Sequence, residues 1–145
     1  MKSKTLFTVI LLTLSLMCSA QINAILGDWI TVDDKTGEQR SVVTLYKAED
    51  GKYYGKIAKL LVGDSKVLCD KCEGADHNRP VEGLVIIRGM QYDKENNQLA
   101  GGQVLDPESG KFYYGKIYPK DGKLVLRGSL DKRGFIGRNQ TWIRK

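Results

Sequence analysis

Several things are scarce in this sequence, and each scarcity removes a class of function. Histidine occurs once, at position 77, so His-rich metal sites and His-paired catalysis have a single candidate residue. Three prolines in 145 residues exclude collagen and Pro-rich linkers. Neither sign of charge dominates: 23 basic and 17 acidic residues are interspersed, for a net charge of +6. That balance excludes a polybasic nucleic-acid arm and an acidic tail. A Gly-x-Ser-x-Gly nucleophile elbow is missing. So is a Gly-rich phosphate loop, because Gly101-Gly102 stands inside a strand signal. Long apolar runs are absent after the N-terminal segment. Glycine is abundant instead, with 16 residues, all beyond position 20. The length suits one domain with one hydrophobic core.

The N-terminal segment has the three parts of a secretion signal. Met1-Lys2-Ser3-Lys4 is basic, Thr5 to Met17 is apolar, and Cys18-Ser19-Ala20 is a small-residue cleavage site. The apolar run is shorter than the roughly 20 residues that span a bilayer. Residues 1–20 are therefore expected to be removed, leaving Gln21 as the new N-terminus and a single domain over 21–145. Without Lys2 and Lys4 the balance is 21 to 17, a net of +4. Lipidation at Cys18 is the alternative, but Met17 and Ser15 occupy positions where a lipoprotein signal has a small residue and a leucine. Export to the periplasm or the medium is the expectation, with no stable membrane span.

Beyond this segment the chain reads as strands. Short runs rich in β-branched and aromatic residues occupy Leu26–Val32, Arg40–Lys47, Lys52–Leu60, Gly83–Ile87, Gln98–Leu105, Lys111–Tyr118, Lys123–Leu130 and Ile136–Arg144. Asp33-Asp34-Lys35-Thr36-Gly37, Glu49-Asp50-Gly51, Asp106-Pro107-Glu108-Ser109-Gly110 and Asp121-Gly122 are turn clusters. An irregular stretch covers 63–80, with a helix within Val62–Lys71 as the alternative. About eight strands at hairpin spacing predict a sandwich or a barrel. Strand glycines at 55, 101, 102, 115, 128 and 137 favour the barrel, because repeated bends close a small sheet. The segments starting at Gly51-Lys52-Tyr53-Tyr54 and Gly110-Lys111-Phe112-Tyr113 resemble each other, as shared hairpin chemistry or as a trace of duplication.

Beyond the signal segment only Cys69 and Cys72 remain. In an oxidising compartment a disulfide is the default. A redox motif would need a thioredoxin-like helix, which the pattern lacks. A metal site built from Cys69, Cys72 and His77 is the other alternative, with no resident cofactor expected. In the last strand Arg138, Gln140, Trp142 and Arg144 alternate and share one face. Arg127 on the strand before could pair with that face. These arginines either lie in solvent or line the barrel and grip an anion. The opposite parity is no more apolar, so periodicity leaves the choice open. Asn139-Gln140-Thr141 fits a glycosylation sequon, which a bacterial signal makes a coincidence.

The order of short motifs carries a resemblance. Gly27-Asp28-Trp29, Tyr54-Gly55-Lys56-Ile57, Asp76-His77-Asn78-Arg79-Pro80, Gly83-Leu84 with Ile86-Ile87, and Gly102 with Asp106-Pro107 form its first part. Gly110-Lys111 with Tyr113, Arg127-Gly128, and Gly137-Arg138 with Gln140, Trp142 and Arg144 complete it. Together they resemble the bacterial envelope family known as domain of unknown function 2147. The resemblance implies a small secreted domain and supplies no catalytic residues. The loop before Gly83 is shorter than that family leads one to expect, and it carries the cysteine pair. A second, partial likeness is to lipocalin-type barrels, which begin with Gly-x-Trp and pack an arginine of the last strand over that tryptophan. Here Trp29 with Arg144 or Arg138 fits, and Trp142 shares the structural role.

The expected fold is all-β: a single antiparallel up-and-down barrel of about eight strands, lipocalin-like. The first functional expectation is a binding module for a small anionic or amphipathic ligand. Tyr53, Tyr54, Tyr113, Tyr114 and Tyr118 would form its walls, and Arg127 and Arg138 its anchors, with Gln140 and Asp106 as further contacts. The second is an envelope structural or interaction module with a packed barrel. An enzyme built on Asp76, His77 and an arginine stands third.

Overall fold

The computed structural model describes residues 21–145, and the expected signal segment lies outside them. Eight strands follow in chain order: β1 (Gly27–Val32), β2 (Gln39–Lys47), β3 (Tyr53–Leu60), β4 (Val85–Asp93), β5 (Gln98–Asp106), β6 (Lys111–Lys120), β7 (Lys123–Ser129) and β8 (Gly137–Arg144). Each pairs antiparallel with the next, and β8 returns to β1 through Trp29–Arg144, Ile30–Ile143 and Thr31–Trp142. Closure leaves no free sheet edge. Among the described residues, no helix is long and apolar enough to cross a membrane.

One sequence expectation is corrected and one alternative is removed. β4 does not stop at Ile87 but continues to Asp93. Its second half is hidden in the sequence because Gly89 interrupts the run with φ of +66°. There the backbone of β4 presses on β5, so that a Cβ on Gly102 would overlap the Arg88 carbonyl. Only glycine permits that approach. The helix considered within Val62–Lys71 does not form; a single 3-10 turn at Gly74–Asp76 is what the long connection contains.

One end of the barrel is sealed by residues 21–26. Ile25 is fully buried, and its carbonyl accepts the indole N–H of Trp29 at 2.8 Å. The Arg144 guanidinium lies 4.0 Å from the Trp29 ring centroid. Its two terminal nitrogens donate to the carbonyls of Leu26 (2.7 Å) and Ala24 (2.6 Å). Of the two arginines weighed for this place, the structure selects Arg144.

The opposite end carries the β1–β2, β3–β4, β5–β6 and β7–β8 connections. The β3–β4 connection is tied by a Cys69–Cys72 disulfide. Both cysteines are buried and join the main core with Val81 and Leu84. The segment rests on the β5–β6 turn: the Cys69 sulfur is 3.4 Å from the Pro107 carbonyl, and a Cβ on Gly110 would overlap the Lys71 carbonyl. Arg88 holds Asp76 at 2.9 Å, and Arg40 of β2 holds Glu108 at 2.8 Å.

Candidate functional site at the barrel mouth

Residues directly opposite in an antiparallel ladder share a face. The pairs Trp29–Val43, Val43–Ile57, Leu45–Gly55 and Gly55–Ile87 trace the inner wall through β1 to β4. Ile87–Val104, Val104–Tyr113, Gly115–Gly128, Ile117–Leu126 and Leu126–Gln140 continue it to β8. The face of β8 that periodicity left open is thereby settled. Trp142, Gln140 and Arg138 point inward, and Trp142 is only 1% exposed.

At the loop end this wall becomes polar. Arg138 stands opposite Gly128, which stands opposite Gly115. The Cβ position of Gly128 is 3.8 Å from that of Tyr113. Arg138 and Tyr113 therefore flank a patch of bare backbone. Arg138 is exposed and makes no hydrogen bond or ion pair among the described residues. One layer deeper, Gln140 accepts the Trp142 indole N–H at 2.7 Å. Beside it, the buried hydroxyls of Thr31 and Ser41 bond each other at 2.8 Å. The Gln140 side-chain oxygen and both hydroxyls in that deeper layer have partners; the Arg138 fork does not.

Other candidate residues lie elsewhere. Arg127 does not join the Arg138 face, because it pairs with Asn139 on the outer wall. Its guanidinium is occupied by the Gly134 carbonyl (2.7 Å), the Asn139 side chain (2.9 Å) and the Phe135 carbonyl (3.3 Å). Tyr54 is also outside: it pairs with Tyr46, stacks on it at 6.1 Å and donates to Asp50 at 2.6 Å. That bond raises the Tyr54 pKa above the usual phenol value. Asp106 lies at the rim, but its carboxylate accepts from the Glu108 amide and the Ser109 hydroxyl within its own turn. Of the remaining tyrosines, Tyr53 is buried in the core, while Tyr114 and Tyr118 line outer-wall hollows of about 480 and 290 Å³.

Below the mouth the inward side chains fill the barrel. Leu45, Ile87, Met90, Leu99, Ile117 and Leu124 are all buried to within 2% of completely. A Cβ on Gly115 would overlap Met90 Cε and one on Gly55 would come 2.8 Å from Leu45 Cδ2, so the glycines leave no room. His77 and Asp76 do not converge on a cleft. The His77 Nδ1 is 2.9 Å from the Cys72 carbonyl, and Asp76 is held by Arg88. The disulfide consumes both thiolates that the metal alternative needed. Among the described residues no group of three His, Cys, Asp or Glu side chains is placed to hold a metal ion.

Sequence reading passed over one feature of this end. Of the eight large apolar side chains exposed among the described residues, seven lie on the loops and strand ends around the mouth: Leu61, Val67, Leu68, Phe112, Leu130, Phe135 and Ile136. Leu130 and Ile136 read as strand ends, and strand ends are normally covered.

An eight-stranded closed meander, sealed at one end by an arginine stacked on the first-strand tryptophan, defines a lipocalin-type barrel. Residues 27–144 match the family described as "Uncharacterized protein conserved in bacteria (DUF2147)", and the chain belongs to that family. Among solved structures it is similar to protein HP1028 from the human pathogen Helicobacter pylori, described as belonging to the lipocalin family. The TM-score is 0.72 at 22% identity, over 83% of this chain and 82% of that one, a likeness of fold. No curated protein matches the sequence. The disulfide is consistent with an exported protein.

Proposed function

We propose that this protein is a ligand-binding module of the bacterial envelope whose site is the mouth of the barrel. It takes the anionic group of a small amphipathic molecule there. The observation that carries this reading is the unpartnered, inward-facing Arg138 beside the bare Gly128 backbone and Tyr113. A guanidinium fork matches carboxylate or phosphate in two parallel hydrogen bonds. The apolar side chains around the mouth suit the ligand's tail. The filled interior confines the ligand to the rim.

The test is an NMR titration of the chain from Gln21 onward with decanoate, using decanol as the uncharged control. Saturable shifts at Arg138, Gly128 and Tyr113 are expected with decanoate. Arg138→Ala should weaken binding at least tenfold, about 1.4 kcal/mol. Silence at these residues, or equal affinity for the variant, refutes the reading. The filled interior favours a second reading, an envelope interaction module, which a silent titration would leave standing.

A further inference from the structure

The β7–β8 connection, Leu130-Asp131-Lys132-Arg133-Gly134-Phe135-Ile136, is the most apolar exposed segment described. Phe135 is 77% exposed, Leu130 67% and Ile136 65%. The loop is nonetheless firmly built. The Asp131 carboxylate accepts the amides of Ile136 (2.8 Å) and Phe135 (3.2 Å), and its backbone carbonyl accepts the Ser129 hydroxyl (2.8 Å). The Leu130 amide bonds the Ile136 carbonyl at 2.8 Å. Arg127 grips the carbonyls of Gly134 and Phe135, and Lys116 reaches the Arg133 carbonyl at 3.3 Å. Three apolar side chains are thus held in water by a scaffold, although a polar tip would close the same hairpin.

The charges around the tip have one outward sign. Lys132 and Arg133 lie on the loop, and Lys116 stands beside it. The one carboxylate of the loop, Asp131, is turned inward as the cap. Next to the tip, on the outer wall, the hollow of about 480 Å³ is lined by Gln103, Tyr114, Lys116 and Lys132 with three glycines. Its size and two ammonium groups suit a phosphate headgroup. Apolar side chains ringed by cations match the interface of an anionic bilayer, where the former enter the acyl boundary and the latter meet phosphates. A second copy meeting this one tip to tip would instead oppose cation to cation.

We propose that the β7–β8 loop docks the barrel onto an anionic phospholipid surface. Leu130, Phe135 and Ile136 enter the acyl boundary, and Lys116, Lys132 and Arg133 engage the phosphates. The apolar tip is shared with the rim of the proposed ligand site, but the docking needs neither Arg138 nor a bound ligand.

The test is vesicle flotation with the chain from Gln21 onward, which contains all eight strands and the sealing segment. Vesicles of equal parts phosphatidylcholine and phosphatidylglycerol should carry the protein, and pure phosphatidylcholine should not. Phe135→Ser with Ile136→Ser, or Lys132→Glu with Arg133→Glu, should each reduce binding at least tenfold without moving the melting temperature. Phe135→Trp keeps the tip apolar and adds a readout: its emission should shift to the blue and be quenched by brominated acyl chains. Failure of the unaltered protein to float, equal flotation with neutral vesicles, or indifference to both double substitutions overturns the proposal. So does a dimer in sedimentation that Phe135→Ser dissolves, since the tip would then serve a second copy.

Discussion

Replacing Arg144 with alanine tests how the barrel is sealed. The guanidinium makes two charge-assisted hydrogen bonds, to Leu26 and Ala24, and stacks at 4.0 Å on Trp29. A hydrogen bond to a charged group contributes about 1.5–3 kcal/mol when well buried. Arg144 is exposed on its outer side, so about 1 kcal/mol each is the suitable value. Stacking adds about 0.5–1 kcal/mol. The freed carbonyls lie at the rim and regain water, which removes any orphan penalty. The sum is about 2.5–3 kcal/mol, and loosening of the fully buried Ile25 adds to it. In urea denaturation followed by tryptophan emission, the midpoint should fall by roughly 1–2 M. The melting temperature should fall by roughly 10 °C. Arg144→Lys keeps the charge but loses the planar fork, and should recover less than half of the loss. Hydrogen exchange should quicken first at the amides of Ile25 and Leu26, which bond the Ile22 carbonyl. A loss below about 0.5 kcal/mol, or full rescue by lysine, would refute the assignment of sealing to this fork.

Three further outcomes are expected. Cys69→Ala with Cys72→Ala should lower stability by about 2 kcal/mol, the entropy-model value for so short a loop. The accompanying rise in hydrogen exchange should stay within 66–80 and the β5–β6 turn; a rise through all eight strands would show that the disulfide holds the fold rather than the loop. Gly110→Ala places a methyl group on the Lys71 backbone carbonyl at φ of +72° and should destabilise the protein more than Gly115→Ala, whose methyl meets only side-chain atoms, of Met90 and Val104, at an ordinary backbone conformation. Calorimetry of the two variants checks the order. The pKa values of Asp33, Asp50, Asp93 and Asp131 are held below the ordinary carboxylate range. The largest causes are hydrogen bonds from the Thr36 amide, the Tyr54 hydroxyl, the Asn96 side chain and the Ile136 amide respectively. Their stabilisation is present above the unfolded value of about 3.9 and is lost as pH falls through the lower folded values. Urea midpoints should therefore stay level from about pH 7 to pH 5 and fall below about pH 4. A midpoint that rises on acidification would contradict this.

Much of the fold was legible because strands announce themselves locally. Alternation and turn chemistry placed all eight, and the lipocalin likeness of Gly27-Asp28-Trp29 with an arginine of the last strand implied the sealed end. The second half of β4 escaped because Gly89 breaks the run, and its role is visible only against Gly102 on the neighbouring strand. The disulfide was legible because two cysteines three residues apart have few other partners in the oxidising compartment that the signal-like segment leads one to expect.

The candidate site was legible only in its residue types. Arg127 and Arg138 read alike in sequence, yet one is spent on carbonyls of the β7–β8 loop and the other faces the mouth unpaired. That difference is a matter of register between β7 and β8. A one-residue slip in a sheet exchanges its two faces. Tyr54 and Tyr113 are separated by the same rule, one stacked outside on Tyr46 and the other beside Gly128. Local composition by itself determined strands, turns and the cysteine clip, because each is a short-range preference of the chain. The Trp29–Arg clasp was implied by the lipocalin likeness, and barrel closure chose Arg144 over Arg138. Which faces turned inward, that the barrel is filled below its mouth, and that Leu130, Phe135 and Ile136 stay in water were decided only when eight strands closed around one volume. Side-chain volumes and ladder registers become mutually constraining at that point and not before.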